Sequence, residues 1–227
     1  MPSSLVVQTS FLGDAVLTTP LLSQLANRGA VDVVTTPASS SLLAGHPAVR
    51  EVIAYDKRGA DAGPLGFLRL ASRLRAARYE TAYLAQGSLR SALLALAARV
   101  PSRVGFATSA GSWLYTTKVP YRDDLHHAAR LLQLSRPNGR EPTEAETRPS
   151  LAPGDAERDL VRALLARAGV EGQPAIEALR VLIVYTIGFA AFDRPRADAA
   201  VPAAELAGNF DRGLGWLLAG VTGAEGR

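Results

Sequence analysis

Cysteine is absent from the 227-residue chain, and histidine occurs only three times, at His46, His126 and His127. A chain without cysteine forms no disulfide, which excludes the disulfide-stabilised scaffolds common among small secreted domains. Three histidines without any thiolate are also a poor source for the four ligands of a structural zinc site. The sequence therefore predicts a fold held by its apolar core, with neither a metal nor a cofactor.

Long apolar runs are lacking as well. The longest one in the second half, residues 181–192, has 12 residues, whereas a membrane-spanning helix needs about 20. The first four residues carry no basic side chain, and Gln8 and Asp14 interrupt the apolar stretch behind them, so no signal peptide is expected. We predict a soluble, cytoplasmic protein.

Lysine is scarce, because Lys57 and Lys118 are the only two among 25 basic residues and the rest are arginines. An excess of arginine fits a coding bias as well as a function, so its distribution is more informative than its amount. Residues 1–136 have 15 basic and 8 acidic side chains, a balance of +7, whereas residues 137–227 have a balance of −3. The positive electrostatic potential of the first part of the chain therefore favours an anionic partner.

Apolar residues are abundant, at 48% of the chain against 20% charged, which excludes a disordered protein. Within residues 1–136, short apolar runs alternate with stretches of helical spacing. The predicted strands cover residues 5–7, 31–35, 51–54, 81–85 and 103–106. The predicted helices cover residues 15–27, 39–44, 67–78, 88–99 and 123–134. Pro20 predicts a kink or a late start of the first helix, Gly29 its C-cap, and Asp123 the N-cap of the last helix.

This alternation predicts an α/β fold, a Rossmann-like parallel sheet with helices on both faces. Right-handed crossovers place the loops that follow the strands along one edge of the sheet, where ligands bind. Residues 137–153 are rich in proline and charge and predict a linker, and residues 154–176 predict a helix that leads toward a second domain. Residues 177–227 predict one strand, over 181–185, and an atypical tail without a clear period.

The loop after the first strand is the first candidate site. It contains Thr9, Ser10, Gly13 and Asp14, at a strand-to-helix turn that presents backbone N–H groups to the binding crevice. Asp14 could accept a proton from a substrate hydroxyl as a general base, or it could cap the helix, with Gly13 as a turn residue. The dinucleotide fingerprint G-x-G-x-x-G is absent.

A basic group follows the third strand. Lys57 and Arg58, together with a helix face that carries Arg69, Arg73 and Arg75, could hold phosphate or carboxylate groups. The same arginines could equally form a solvated helix surface.

Small polar residues follow the fourth and fifth strands. Gln86 and Ser88 lie after the fourth strand, where Ser88 could also be a helix cap. Ser109 lies in a small polar loop after the fifth strand, which suits the close approach of a sugar or phosphate or is a plain flexible loop. The adjacent His126 and His127 point in different directions on a helix and form no metal pair, so we expect one to be packed and one exposed.

The opening of the chain resembles a known family. Residues 5–20 run Leu-Val-Val-Gln-Thr-Ser-Phe-Leu-Gly-Asp-Ala-Val-Leu-Thr-Thr-Pro. This strand, its hydroxyl-rich turn with Gly-Asp and its V-L-T-T-P run are similar to the opening of glycosyltransferase family 9, the ADP-heptose:lipopolysaccharide heptosyltransferases, and most like the heptosyltransferase II branch. The resemblance covers about residues 3–170, and it includes five further segments, residues 31–37, 46–53, 79–85, 103–106 and 126–132.

The resemblance implies the glycosyltransferase B fold, in which residues 1–136 form the acceptor domain and a second domain binds the nucleotide sugar. It implies transfer of heptose from ADP-heptose to the anionic lipopolysaccharide inner core with inversion, and Asp14 as the general base. The acceptor-binding residues expected with it are Thr9, Ser10, Gly13, Lys57, Arg58, Gln86, Ser88 and Ser109. Peripheral contact with the inner membrane surface is expected, and a nucleic-acid partner is not.

Beyond about residue 172 the sequence departs from the family, whose members continue with a strand, an A-P-G-S loop and a Lys-Arg-Trp stretch. The 51 residues from 177 to 227 are fewer than the roughly 100 expected for a nucleotide-binding domain, so we expect a truncated or altered chain with an incomplete donor domain. Two other functions stay open. One is a non-catalytic half that binds a glycolipid or a partner chain, and the other is a small nucleotide-binding module.

We expect this chain alone to bind ADP or ADP-heptose weakly or not at all. Residues 177–227 offer no glycine-rich strand-to-helix loop for a diphosphate, and they lack the positive balance of the first part. Calorimetric titration of the purified chain tests this expectation. Saturable binding near micromolar affinity, about −8 kcal/mol, would contradict it.

Overall fold

The computed structural model describes residues 3–136 and 139–155, together with seven isolated positions between 158 and 173. The chain divides into two compact units, Met1–Ala152 and Pro153–Arg227. The described positions from 155 to 167 in the second unit are helical, in the stretch where a helix is predicted. The predicted strand over 181–185 and the tail over 177–227 lie outside the described residues.

The first unit alternates strands and helices along the chain. The strands are β1 Ser3–Gln8, β2 Ala30–Thr35, β3 Glu51–Ala54, β4 Thr81–Leu84, β5 Ser102–Phe106 and β6 Thr117–Val119. The helices are α1 Leu12–Ala26, α2 Pro37–Leu43, α3 Gly63–Ala76, α4 Leu89–Ala97 and α5 His127–Gln133. Short 3₁₀ turns occur at Ser112–Leu114 and Ala145–Thr147. No helix within the described residues is long and apolar enough to cross a membrane.

All six strands are parallel and form one sheet in the order β3-β2-β1-β4-β5-β6. This confirms the predicted α/β fold and adds β6, which was not predicted. The order runs outward from β1 in one direction through β2 and β3, and from β4 in the other through β5 and β6. A crevice at the carboxyl edge between β1 and β4 follows from this reversal, and ligands bind at such a point.

Helices cover the sheet on both faces. Side chains of α3 and α4, such as Leu74 and Leu94, pack with Leu5 and Val7 of β1. On the other face, side chains of α1 and α5 pack with Val6 of the same strand. Successive residues of a strand point to opposite faces, so β1 contributes to both layers of the core.

The helix boundaries correct three predictions. Helix α1 begins at Leu12, so Asp14 lies in its first turn, and Asn27 rather than Gly29 is its C-cap. Helix α5 begins at His127 and is capped by the His126 side chain rather than by Asp123. Helix α3 begins at Gly63, four residues before the predicted start, because Pro64 fits the first turn of a helix.

Pro20 lies inside α1 and does not delay its start. A proline there removes the N–H that would bond to the carbonyl of Val16 four residues earlier. The hydroxyl of Thr19 donates to this carbonyl at 2.7 Å. This substitute bond explains how the helix continues through the proline.

One carboxylate is completely buried at the amino-terminal half of the sheet. Asp32 on β2 accepts a two-pronged contact from Arg50, at 2.9 Å from Nε and 2.5 Å from Nη2, and a hydrogen bond from the Tyr79 hydroxyl at 2.6 Å. Burial and the bond to Asp32 raise the pKa of Tyr79 above its ordinary value. The group ties β2 to the residues just before β3 and β4.

We expect Tyr79→Phe to lower the free energy of unfolding by about 1–3 kcal/mol, because it removes one of the donors to a buried carboxylate. Urea denaturation of the variant and the parent chain measures the change. Tyr121→Phe is the control, since Tyr121 is partly exposed and does not contact Asp32. Equal stability of Tyr79→Phe and the parent would contradict this account.

Candidate functional site

The end of β1 is joined to the first turns of α1 by a buried amide. Gln8 is the last residue of β1 and is 2% exposed. Its Nε2 donates to the Thr18 hydroxyl at 3.1 Å, and that hydroxyl donates to the backbone carbonyl of Asp14 at 2.7 Å. These two bonds fix the start of α1 relative to the strand, and therefore fix the backbone of Asp14.

The carboxylate of Asp14 lies at the mouth of this turn. The Ser10 hydroxyl lies 2.7 Å from Asp14 Oδ2 and 2.6 Å from Gln8 Oε1, so its single proton is shared between two acceptors. His127 Nε2 of α5 lies 3.7 Å from Asp14 Oδ1. The Asp14 side chain is 16% exposed, and the N-terminus of α1 favours its negative charge. Phe11 occupies the cap position of α1 without a side-chain cap bond, and Asp14 is the third residue of the helix.

Two neighbouring strand-end loops meet the β1 loop. The Thr9 hydroxyl donates to Gln86 Oε1 at 2.5 Å, which joins the loops after β1 and β4. Lys57 Nζ donates to the backbone carbonyl of Thr9 at 2.7 Å, which joins the loop after β3. The parallel sheet therefore brings together residues that are 77 and 48 positions apart in the sequence.

A cavity of about 120 Å³ lies between these loops. Its lining includes Thr9, Tyr55, Lys57, Ser88 and Arg90. Arg90 Nε donates to the Tyr55 hydroxyl at 2.9 Å. Burial, followed by the positive charges of the neighbouring guanidinium groups, lowers the pKa of Lys57. Two cations at one small cavity with hydroxyl groups form a setting that favours an anionic ligand group.

The other candidate residues differ in their surroundings. Ser88 caps α4, since its hydroxyl accepts from the Ser91 N–H at 3.2 Å, and it also lines the cavity. Ser109 lies against Gly87, where an added Cβ would be 2.8 Å from the Ser109 hydroxyl. Gly13 lies inside α1 rather than in a turn, and a Cβ there would meet no atom within 4 Å. Arg58 is exposed next to Lys57.

The basic face of α3 does not join this group. Arg69 lies 3.9 Å from Asp61, and Arg73 is bonded to Glu51 at 2.6 Å. Arg75 lies at the opposite edge of the sheet, because the helix runs back along the strands from the carboxyl edge to the amino edge. The arginines of this helix face therefore have different neighbours along the helix and do not form one binding group.

Sequence reasoning missed the roles of Gln8, Arg90 and His127 at this site. The two histidines differ as expected, with His126 exposed and His127 half-buried against α1. The distance between His127 and Asp14 depends on how the helices pack, which the sequence does not indicate. Gln8 had a signal, since a polar residue ends an otherwise buried strand. Among the described residues, no group of three or more acidic or histidine side chains is arranged to hold a metal ion.

Comparison with known proteins gives a family match for part of the chain. Residues 67–165 match glycosyltransferase family 9 (heptosyltransferase). Over these residues, which are less than half of the chain, the sequence is similar to this family. This confirms the resemblance found in the sequence. A comparison with curated proteins gave no match.

Three solved structures share the fold. The family 9 glycosyltransferase of Veillonella parvula is 19% identical, with a TM-score of 0.65 over 75% of this chain and 51% of its own. The E. coli ADP-heptose lipopolysaccharide heptosyltransferase II is 23% identical, with a TM-score of 0.57 over 76% and 52%. The E. coli heptosyltransferase WaaC, solved with ADP-2-deoxy-2-fluoro heptose, is 24% identical, with a TM-score of 0.52 over 62% and 50%. The chain thus spans about half the length of the structures it matches.

We expect Lys57 to titrate below its ordinary value of 10.5, because burial and the nearby guanidinium groups destabilise its charged form. Only two lysines are present, so ¹³C-methylation of the amines gives few NMR signals to follow with pH. Lys57→Arg assigns its signal, and the exposed Lys118 serves as an internal reference. A Lys57 signal that titrates at or above the ordinary value would contradict the described position.

Proposed function

We propose that this chain acts in glycosyl transfer as the acceptor-binding and base-bearing part of a heptosyltransferase of the heptosyltransferase II type. Its donor would be ADP-heptose, and its acceptor an anionic sugar of the lipopolysaccharide inner core. The observation that carries the proposal is the oriented, partly exposed carboxylate of Asp14 at the crevice between β1 and β4. The family match and the nucleotide-sugar analogue bound to the E. coli relative support it.

In the proposed reaction, Asp14 accepts the proton of the acceptor hydroxyl. The acceptor oxygen attacks C1 of the heptose from the face opposite ADP, the bond between C1 and the phosphate oxygen breaks, and ADP leaves with the bonding electron pair. Inversion at C1 follows from this single displacement. Ser10 positions the carboxylate at 2.7 Å, and the main benefit of such a base is that it holds the attacking oxygen close and aligned.

Lys57 and Arg58 would bind the negative charges of the acceptor, and Arg90 adds a cation that the sequence did not indicate. Thr9, Gln86 and Ser109 would contact sugar hydroxyls, with Ser88 limited by its role as a helix cap. The open space at Gly13 would admit the acceptor close to the backbone.

The proposed acceptor is linked to a lipid, so the protein would act at the cytoplasmic face of the inner membrane. Exposed apolar side chains on the α3 and α4 side support a peripheral contact. They are Leu65, Leu68, Leu89, Leu93, Leu96 and Trp113. Arg69 is exposed on the same side, and its charge suits an anionic lipid surface.

A second candidate function is a non-catalytic half that binds the glycolipid. It is favoured by the position of all candidate site residues in the first unit. Acceptor binding without turnover, both in this chain and in a chimera that carries a relative's donor domain, would favour it.

We expect Asp14→Asn to reduce transfer from ADP-heptose to a lipopolysaccharide-core acceptor by about 10²–10⁴-fold, because the amide keeps the size but cannot accept the proton. Turnover is measured in this chain and in the donor-domain chimera. Asp123→Asn is the matched control, since it removes an exposed carboxylate outside the site. Near-normal turnover of Asp14→Asn would remove Asp14 from the mechanism.

A further inference from the structure

A second cavity, of about 850 Å³, lies at the amino edge of the sheet, opposite the candidate active site. The ends of α3 and α4 and the residues before β4 and β5 surround it. Its charged lining consists of Arg75, Arg78 and Arg99 with a single carboxylate, Glu80. Its volume falls within the range of small-molecule sites, about 300–1,000 Å³.

The three guanidinium groups differ from most other arginines of the first unit, whose side chains bond to a carboxylate, a carbonyl or a hydroxyl. Arg50, Arg73 and Arg122 are each bonded to a carboxylate. Within the described residues, no carboxylate lies at ion-pair distance from any of the three arginines at the cavity, and all three are exposed. The three arginines therefore line a cavity at which a ligand can reach them.

The backbone supplies an independent observation. Arg78 and Arg99 have φ values of 53° and 57°, and they are the only non-glycine residues with positive φ in the described part of the chain. Each follows the end of a helix, at the position where glycine is normally preferred. The Val100 N–H donates back to the Ala95 carbonyl at 3.1 Å, as such a helix end requires.

Left-handed backbone geometry is unfavourable for a residue with a Cβ. The negative end of the helix dipole attracts a cation, which accounts for an arginine in the last turn, as at Arg75. Arg78 and Arg99 lie beyond the last turns of their helices, where glycine would be the more stable residue. Two separate helix ends at one cavity both carry arginine there. A local strain of this kind is a reason to look for a functional use of the side chain.

We propose that this cavity binds phosphate groups of an anionic ligand, through Arg78 and Arg99 with support from Arg75. Guanidinium groups match phosphate oxygens with paired hydrogen bonds. The carbonyl ends of α3 and α4 repel an anion, so the binding comes from the side chains and depends on them. The site is separate from the proposed glycosyl transfer, and the phosphate can be carried by a soluble molecule or by a lipid.

The double variant Arg78→Gly/Arg99→Gly tests the site with two readouts of opposite sign. Relief of the left-handed geometry raises Tm by roughly 2–4 °C for each position. Loss of the side chains weakens inorganic pyrophosphate binding by about tenfold or more for each arginine, as expected for charge-assisted hydrogen bonds. Tm is measured by calorimetry, and binding by calorimetric titration of the full chain.

Two controls separate this site from general charge effects and from the candidate active site. Arg73→Gln/Arg122→Gln removes the same number of charges from ion-paired positions elsewhere and should retain binding at the cavity. Lys57→Gln/Arg90→Gln removes the cations of the carboxyl-edge cavity and should also retain it. If the proposed glycosyl transfer is wrong, pyrophosphate binding at the amino-edge cavity is therefore still expected.

Vesicles of phosphatidylglycerol in phosphatidylcholine identify the source of the phosphate. Vesicle binding that pyrophosphate displaces, and that the double glycine variant loses, supports a lipid phosphate. Pyrophosphate binding without vesicle binding supports a soluble ligand. The proposal is overturned if neither binds to the parent chain, if the glycine variant binds as well as the parent, or if the charge control weakens binding equally.

Discussion

The burial of the apolar centre of β1 is the constraint on which the rest of the first unit depends. Leu5, Val6 and Val7 are all fully buried, because β1 has a parallel partner on each side and a helix layer on each face. The buried centre of a strand in this position must be apolar, and it ends where the sequence becomes polar again. Gln8 is that residue, so the first polar side chain after the apolar run lies at the crevice.

The buried polar residues at the end of β1 and in α1 must then find hydrogen-bond partners within the protein. A buried amide or hydroxyl without a partner costs about 1–3 kcal/mol, so Gln8 and Thr18 are tied to each other and to the Asp14 carbonyl. The same bonds set the first turn of α1, and the Ser10 hydroxyl orients the Asp14 carboxylate that projects from it. The conditions that stabilise the sheet therefore also position the proposed base.

Those parts of the fold that depend on local sequence could be predicted. The five longer strands and the common edge of their loops follow from apolar runs that alternate with helical spacing. Strand β6, Thr117–Val119, could not be found this way, because a strand of three residues with a lysine at its centre has no apolar run. The cap of α5 was also missed, since Asp123 and His126 are both able to cap and only tertiary packing selects the start.

The site was predictable to a similar extent. Thr9, Lys57 and Gln86 each follow a strand, and the parallel sheet was enough to place them together. Arg90 and His127 lie within or at the start of helices, and their approach to the site depends on how α4 and α5 rotate against the sheet. Successive side chains of a helix differ in direction by about 100°. One sequence does not fix the rotation of a helix against the sheet accurately enough to show which side chain comes within hydrogen-bond distance of the site.

The positive balance of residues 1–136 is not spread evenly over the structure. Several arginines are neutralised by carboxylates, and two groups among the described residues of the first unit have cations in excess. One contains Lys57, Arg58 and Arg90 at the carboxyl edge, and the other contains Arg75, Arg78 and Arg99 at the amino edge. Helix α3, with 14 residues, spans about 21 Å between these edges. Since the Debye length is about 8 Å at physiological ionic strength, salt weakens the coupling between exposed charges at the two edges, and each group attracts an anion mainly through its own cations.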